Sequence, residues 1–138
     1  MGQKPLFFNM SNQPETYIYN IEVTKITDGD TIRGTISLGY DLYLYNRSIR
    51  VFNLDTPESR INIKKYPERA KAKELGLLAK QKVKEWLVGK VTIRSYGPDK
   101  YGRILADVYC EKGNIADLLI AEGLAVPYDG GTKKHKWS

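Results

Sequence analysis

Three short segments hold the side chains best suited to work on a phosphoryl group. The first is Asp28-Gly29-Asp30-Thr31, the second runs from Arg50 to Asp55-Thr56-Pro57-Glu58, and the third is Asp99-Lys100-Tyr101-Gly102-Arg103. Asp30, Asp55 and Glu58 offer hard oxygen donors, which suit Ca²⁺ and, less strictly, Mg²⁺. Phosphodiester hydrolysis needs a positioned water and cationic groups that stabilise charge as it develops. Glu58 is a candidate to align that water. Arg50 and Arg103 are candidates for bidentate hydrogen bonds to phosphate oxygens, a geometry that an ammonium does not reproduce. Taken singly, each segment is ordinary turn chemistry: Asp-Gly-Asp reverses a chain, and Pro57 suits the second position of a turn. The chemical reading depends on bringing all three to one mouth.

The elements that must do this are legible from periodicity. Tyr17, Tyr19, Ile21 and Val23 alternate with polar positions, as do Ile32, Gly34, Ile36 and Leu38, which is the period of half-buried strands. Leu42, Leu44, Ile49, Val51 and Asn53 carry a third strand towards Pro57. Between Pro67 and Gly89 the period changes, and Leu75, Leu78, Ala79, Val83, Trp86 and Leu87 predict one amphipathic helix, with Gly76 weakening its interior. Val91 and Ile93, then Ile104, Ala106 and Val108, predict two further strands. Asn114 predicts the N-cap of a short helix ending at Gly123. Three strands, a helix, two strands and a helix predict an α+β fold, a five-stranded OB-fold barrel covered by two or three helices.

Length and composition narrow the function classes. The chain has 138 residues, which suits one domain. We expect an N-terminal arm over residues 1–15, the barrel domain over 16–128 and a basic tail over 129–138. Twenty-two Lys and Arg against 16 Asp and Glu give a net charge of +6, which favours polyanionic partners. The single cysteine, Cys110, excludes an internal disulfide and a cysteine-based zinc site. The lone His135 sits in the tail, away from any candidate partner for nucleophilic catalysis. No stretch approaches the roughly 20 apolar residues of a membrane span, and no cleavage-like leader is evident, so the expectation is a cytoplasmic protein without membrane contact.

DGDT, the R-x4-DTPE segment and DKYGR, in this order on a basic barrel-like chain, resemble the staphylococcal nuclease (thermonuclease) family, from about Val23 to Tyr128. The resemblance implies an OB-fold nuclease with one Ca²⁺, held by Asp30, Asp55 and the carbonyl of Thr56, and with Asp28 close behind. It implies that Glu58 assists the attacking water and that Arg50 and Arg103 bind the scissile phosphate. It implies that Tyr101 contacts the nucleotide, and Tyr128 is a further candidate for stacking on a base. DNA and RNA are then substrates, cleaved with little sequence demand to 3′-phosphate products. Two features depart from the family pattern: the segment from Ser59 to Lys73 is longer and more basic, and the chain stops where the type member continues into a third helix.

A second reading is a non-catalytic nucleic-acid- or protein-binding OB-fold module within a larger assembly. It shares the basic surface but has no use for the carboxylates, which repel phosphate unless a cation neutralises them. Phe7 and Phe8 in the polar arm hint at docking on another protein; otherwise a monomer is expected.

Overall fold

A computed structural model describes residues 17–128. The arm, the tail and the expectations attached to them, including docking through Phe7 and Phe8 and the place of His135, lie outside these residues. Three long strands open the fold: β1 (Tyr17–Asp28), β2 (Thr31–Gly39) and β3 (Leu42–Val51). A two-residue strand, β4 (Leu54–Asp55), follows. A 3₁₀ turn at Pro67–Arg69 then leads into helix α1 (Ala70–Trp86), where Pro67 sits without penalty because its missing N–H would have no helical partner. β5 (Val91–Pro98), β6 (Ile104–Cys110), β7 (Gly113–Asn114), helix α2 (Ile115–Ala121) and β8 (Val126–Pro127) complete the order. Asn114 caps α2 as expected, its side-chain oxygen accepting from the Ala116 N–H at 2.8 Å.

The strands run in the order β3-β2-β1-β5-β6, and a parallel pairing of β3 with β6 closes them into a barrel. The closure matters for the site. It sets Ile49 beside Ile104, Arg50 beside Leu105 and Val51 beside Ala106, so the chain at Arg50 arrives next to the chain just beyond Arg103. A second small pairing sets Leu54 opposite Pro127 and Asp55 opposite Val126, and the Tyr128 N–H donates to the Asn53 carbonyl at 3.0 Å. Residues from opposite ends of the barrel sequence therefore meet at one rim.

The interior is filled by β-branched and small side chains. Ile32, Ile36, Ile49, Val51, Ile93, Ala106 and Val108 are buried within the barrel strands, while α1 contributes Ala79 and Val83 and α2 contributes Ile115 and Leu119. Burying a side chain of this size contributes about 1.5–3 kcal/mol. Three details differ from the periodicity reading. The third strand ends at Val51, and Asn53 lies in a left-handed turn (φ 56°) before β4. Leu78 is exposed, because α1 packs through its smaller residues Ala72, Gly76, Ala79 and Val83 and is drawn too close for a leucine stripe. Gly76, which propensity alone marks as a weak point, is buried against the Pro57-Glu58 backbone. No helix among the described residues is long and apolar enough to cross a membrane.

Candidate active site

The β1–β2 turn, the end of β3, the loop after β4 and the β5–β6 loop converge on a cavity of about 620 Å³. Its lining includes Asp28, Asp30, Arg50, Thr56, Glu58, Tyr101, Arg103 and Tyr128. Of the residues singled out from sequence, only Asp55 is absent from this lining. It lies behind the wall, 3% exposed, held in the β4–β8 pairing.

Asp30 forms the floor, 6% exposed. Its Oδ1 accepts from the Thr31 hydroxyl at 3.0 Å and its Oδ2 from the Thr56 N–H at 3.1 Å. Arg50 is buried beside it, with Nη1 at 3.5 Å from Asp30 Oδ2 and donating to the carbonyls of Asp30 and Val51 at 3.3 and 3.2 Å. One terminal nitrogen thus anchors Arg50. Among the described residues its Nε and Nη2 donate to nothing, and Tyr128 lies with its ring centre 5.9 Å from the guanidinium carbon. Asp28 is turned aside: its Oδ1 accepts from both the hydroxyl and the N–H of Ser59, at 2.5 and 3.1 Å.

Beside Arg50 on the same rim, Asp99 organises the DKYGR loop. Its Oδ1 accepts from the N–H groups of Tyr101 and Arg103 at 2.9 and 2.8 Å, and its Oδ2 accepts from Arg103 Nε at 2.7 Å. Burial pushes the Asp99 carboxyl up, but these donors and the Arg103 charge outweigh it and hold the carboxyl below its ordinary value. With Nε engaged, the orientation of Arg103 is fixed while its terminal nitrogens remain for another anion. The Tyr101 ring, 71% exposed, stands 5.3 Å from the Arg103 guanidinium carbon.

Glu58 is exposed at the mouth, although its neighbours Pro57 and Ser59 are buried. Its backbone is fixed by α1: a Cβ on Gly76 would overlap the Glu58 carbonyl oxygen and lie 2.8 Å from the Pro57 carbonyl oxygen. The helix supports the loop at a distance that only glycine permits.

Sequence reasoning overlooked Ser59, Thr31, Asp99 and Gly76 as supports, along with Arg60 and Lys100, which line the same cavity. Thr31, Asp99 and Lys100 lie within the motifs already noted. The pairing of Ser59 with Asp28 spans 31 positions and leaves no local signal.

The donor set suits a hard cation. No three of its His, Cys, Asp or Glu side chains form a ready metal cluster among the described residues, so a bound ion would draw on backbone and water oxygens as well. The Thr56 hydroxyl adds an independent sign, being buried with no hydrogen-bond partner among the described residues. Buried hydroxyls are normally satisfied, and an unpaired one beside a buried carboxylate fits a polar occupant.

Comparison with known proteins identifies the family. The family described as Staphylococcal nuclease homologue matches residues 48–137. A staphylococcal-like nuclease from Arabidopsis thaliana is 26% identical over 129 residues, covering 84% of this chain and 36% of that protein. A protein from Escherichia coli named as an uncharacterized endonuclease is 30% identical over 112 residues, covering 78% of this chain and 60% of its own length. A 38.1 kDa protein from Capnoides sempervirens is 30% identical over 101 residues, covering 70% of this chain and 26% of its own length. The chain therefore spans between about a quarter and 60% of the length of these relatives. The match to the family covers more than half of the chain, including Arg50, Asp55, Glu58 and Arg103. The chain belongs to the staphylococcal nuclease homologue family.

Proposed function

We propose that this domain is a calcium-dependent, sugar-nonspecific endonuclease that hydrolyses DNA and RNA and leaves 3′-phosphate ends. The observation that carries the reading is the convergence of two independently anchored arginines, Arg50 and Arg103, on a mouth that also displays Glu58 and has Asp30 as its floor. A phosphodiester entering there meets guanidinium donors from two neighbouring segments, the end of β3 and the loop before β6, preorganised before it arrives. Arg50 and Arg103 neutralise the charge that develops on the phosphoryl oxygens, and Glu58 orients the attacking water and takes its proton. Asp30 and the Thr56 carbonyl at the mouth, with Asp55 buried behind them, would hold Ca²⁺, which would supply further positive charge to the phosphate. Asp28, tied to Ser59, supports the turn that presents Asp30. Tyr101 and Tyr128 offer rings to the flanking nucleotide, in a shallower groove of about 390 Å³ that shares Arg50 and Arg103 with the mouth.

A module that only bound nucleic acid would gain nothing from two buried carboxylates beside its phosphate site. The chemistry is tested by the ends it leaves. Oligonucleotide fragments produced with Ca²⁺ should resist polymerase extension until a phosphatase removes the 3′-phosphate. Fragments extended directly would contradict cleavage at the bond to the 5′-oxygen, which is what leaves 3′-phosphate ends.

A further inference from the structure

The β2–β3 ribbon carries a run of exposed rings away from the mouth. Register sets Thr31 opposite Arg50, Arg33 opposite Ser48 and Ser37 opposite Tyr43, while Ile32, Gly34 and Ile36 point into the barrel. Alternation along β2 places Thr31, Arg33 and Ser37 outward, and the extra residue of β3 between Leu44 and Arg47, where the register shifts, brings Tyr43 and Tyr45 to the same outer face as Arg50. Tyr43 and Tyr45 are 45% and 71% exposed, with ring centres 5.8 Å apart and planes tilted by 43°. Tyr40, 99% exposed, and Leu42, 60% exposed, extend the surface to the ribbon tip. Single exposed rings need no explanation, but a contiguous group of this kind marks an interaction surface.

Arg33 lies between the rings and the mouth. Its Nε donates to the Asn46 side chain at 3.0 Å and its Nη2 to the Asn46 carbonyl at 2.8 Å, which holds the guanidinium flat along the ribbon. Counted along the paired strand β2 from Thr31 to Ser37 at about 3.3 Å per residue, Tyr43 lies roughly 20 Å from Arg50, with Tyr45 nearer the mouth. Between Thr31 and Val51 the ribbon has three arginines and a single acidic residue, Asp41, so its charge favours a polyanion over a neutral or basic protein surface.

We propose that this face is a second substrate platform, on which bases of a single strand leaving the mouth stack on Tyr45 and Tyr43 while Arg33 meets a phosphate between the mouth and the rings. The inference rests on the nuclease reading, because it continues the path of the strand gripped at Arg50. Stacking requires unpaired bases, so the platform favours single strands over duplex. Barrels of this size engage roughly 4–16 nucleotides, which is enough to reach from the mouth to both rings.

The test compares the full chain with Tyr43→Thr/Tyr45→Thr, which removes both rings but keeps β-branched strand formers. Cleavage is measured on a single strand of roughly 12 nucleotides and on a dinucleotide too short to reach the ribbon. Binding of the long strand is read by fluorescence anisotropy in a Glu58→Gln background. The ratio of kcat/KM on the long strand to that on the dinucleotide should fall about tenfold or more, with binding weakened alike, as expected for lost stacking. Tyr43→Phe/Tyr45→Phe should restore both. An unchanged ratio, or an equal loss on both substrates, overturns the platform and leaves the nuclease reading standing. Failure of the wild-type chain to cut either substrate overturns the nuclease reading instead, and the anisotropy arm then decides the platform alone.

Discussion

A 2.7 Å hydrogen bond joins Arg103 Nε to Asp99 Oδ2, and the other Asp99 oxygen accepts from the Arg103 N–H four residues along the same loop. The carboxylate thus fixes both ends of the arginine it serves: the backbone that launches the side chain and the guanidinium that closes it. Asp99 is a positioning residue. Without it, Arg103 keeps its charge but loses its aim.

Asp99→Asn should therefore lower kcat/KM by about tenfold or more, since small misplacements of a phosphate-binding group are costly. Its effect on stability should depend on pH. The Asp99 carboxyl is held below its ordinary value of 3.8, so the stabilisation it gives is fully present above that value and is lost as pH falls through the lower folded value. Denaturant melts should show the wild type more stable than the variant near neutrality, with the gap closing under acid. A gap independent of pH would contradict the ionised clasp.

Arg103→Lys separates charge from geometry. A lysine keeps the positive charge but cannot hold Asp99 through Nε while presenting further donors to a phosphate. The expected loss in kcat/KM is about 100-fold, in the range seen when one preorganised donor is removed from a reacting anion. Near-normal kinetics would show that charge alone suffices.

Gly76→Ala reverses the usual expectation for a helix. On propensity alone, alanine inside a helix gains about 0.5–1 kcal/mol over glycine. Here its Cβ would overlap the Glu58 carbonyl, so overpacking of about 1–3 kcal/mol should prevail and displace the loop that carries Glu58. Thermal melts should show destabilisation together with reduced cleavage. A rise in Tm would mean that the helix and loop are not in contact as described.

Thr56→Val addresses the orphaned hydroxyl. Removing a buried polar atom that has no partner among the described residues should stabilise the chelated protein by about 1 kcal/mol. If the hydroxyl serves a bound cation's surroundings, added Ca²⁺ should raise Tm less in the variant than in the wild type. A destabilised chelated variant would show that the hydroxyl has a partner after all.

Much of this arrangement was legible in the chain before folding. Alternation at Ile32, Ile36, Ile93 and Val108 marked strands whose inward residues do fill the barrel, because period-2 burial is a local property. The three motifs held most of the residues that line the mouth, because turns between such strands gather at a rim. What escaped was contact between distant positions. The parallel join of Arg50 with Leu105 closes the barrel and brings two motifs together, yet nothing near either residue announces it. Leu78 and Gly76 were misjudged for a related reason. Helical periodicity locates a face, but how closely that face approaches its neighbour is decided by the Pro57-Glu58 backbone on the other side.

The central claim is that the mouth cuts phosphodiesters and does so through Glu58. Gel cleavage of single- and double-stranded DNA by the wild type and by Glu58→Gln, with Ca²⁺, with Mg²⁺ and with chelator, tests it most directly. Glu58 is exposed, so the variant should fold with an unchanged Tm. The account predicts Ca²⁺-dependent cutting by the wild type that the variant loses by orders of magnitude. Binding without cutting under every metal condition, or equal cutting by the variant, would contradict it.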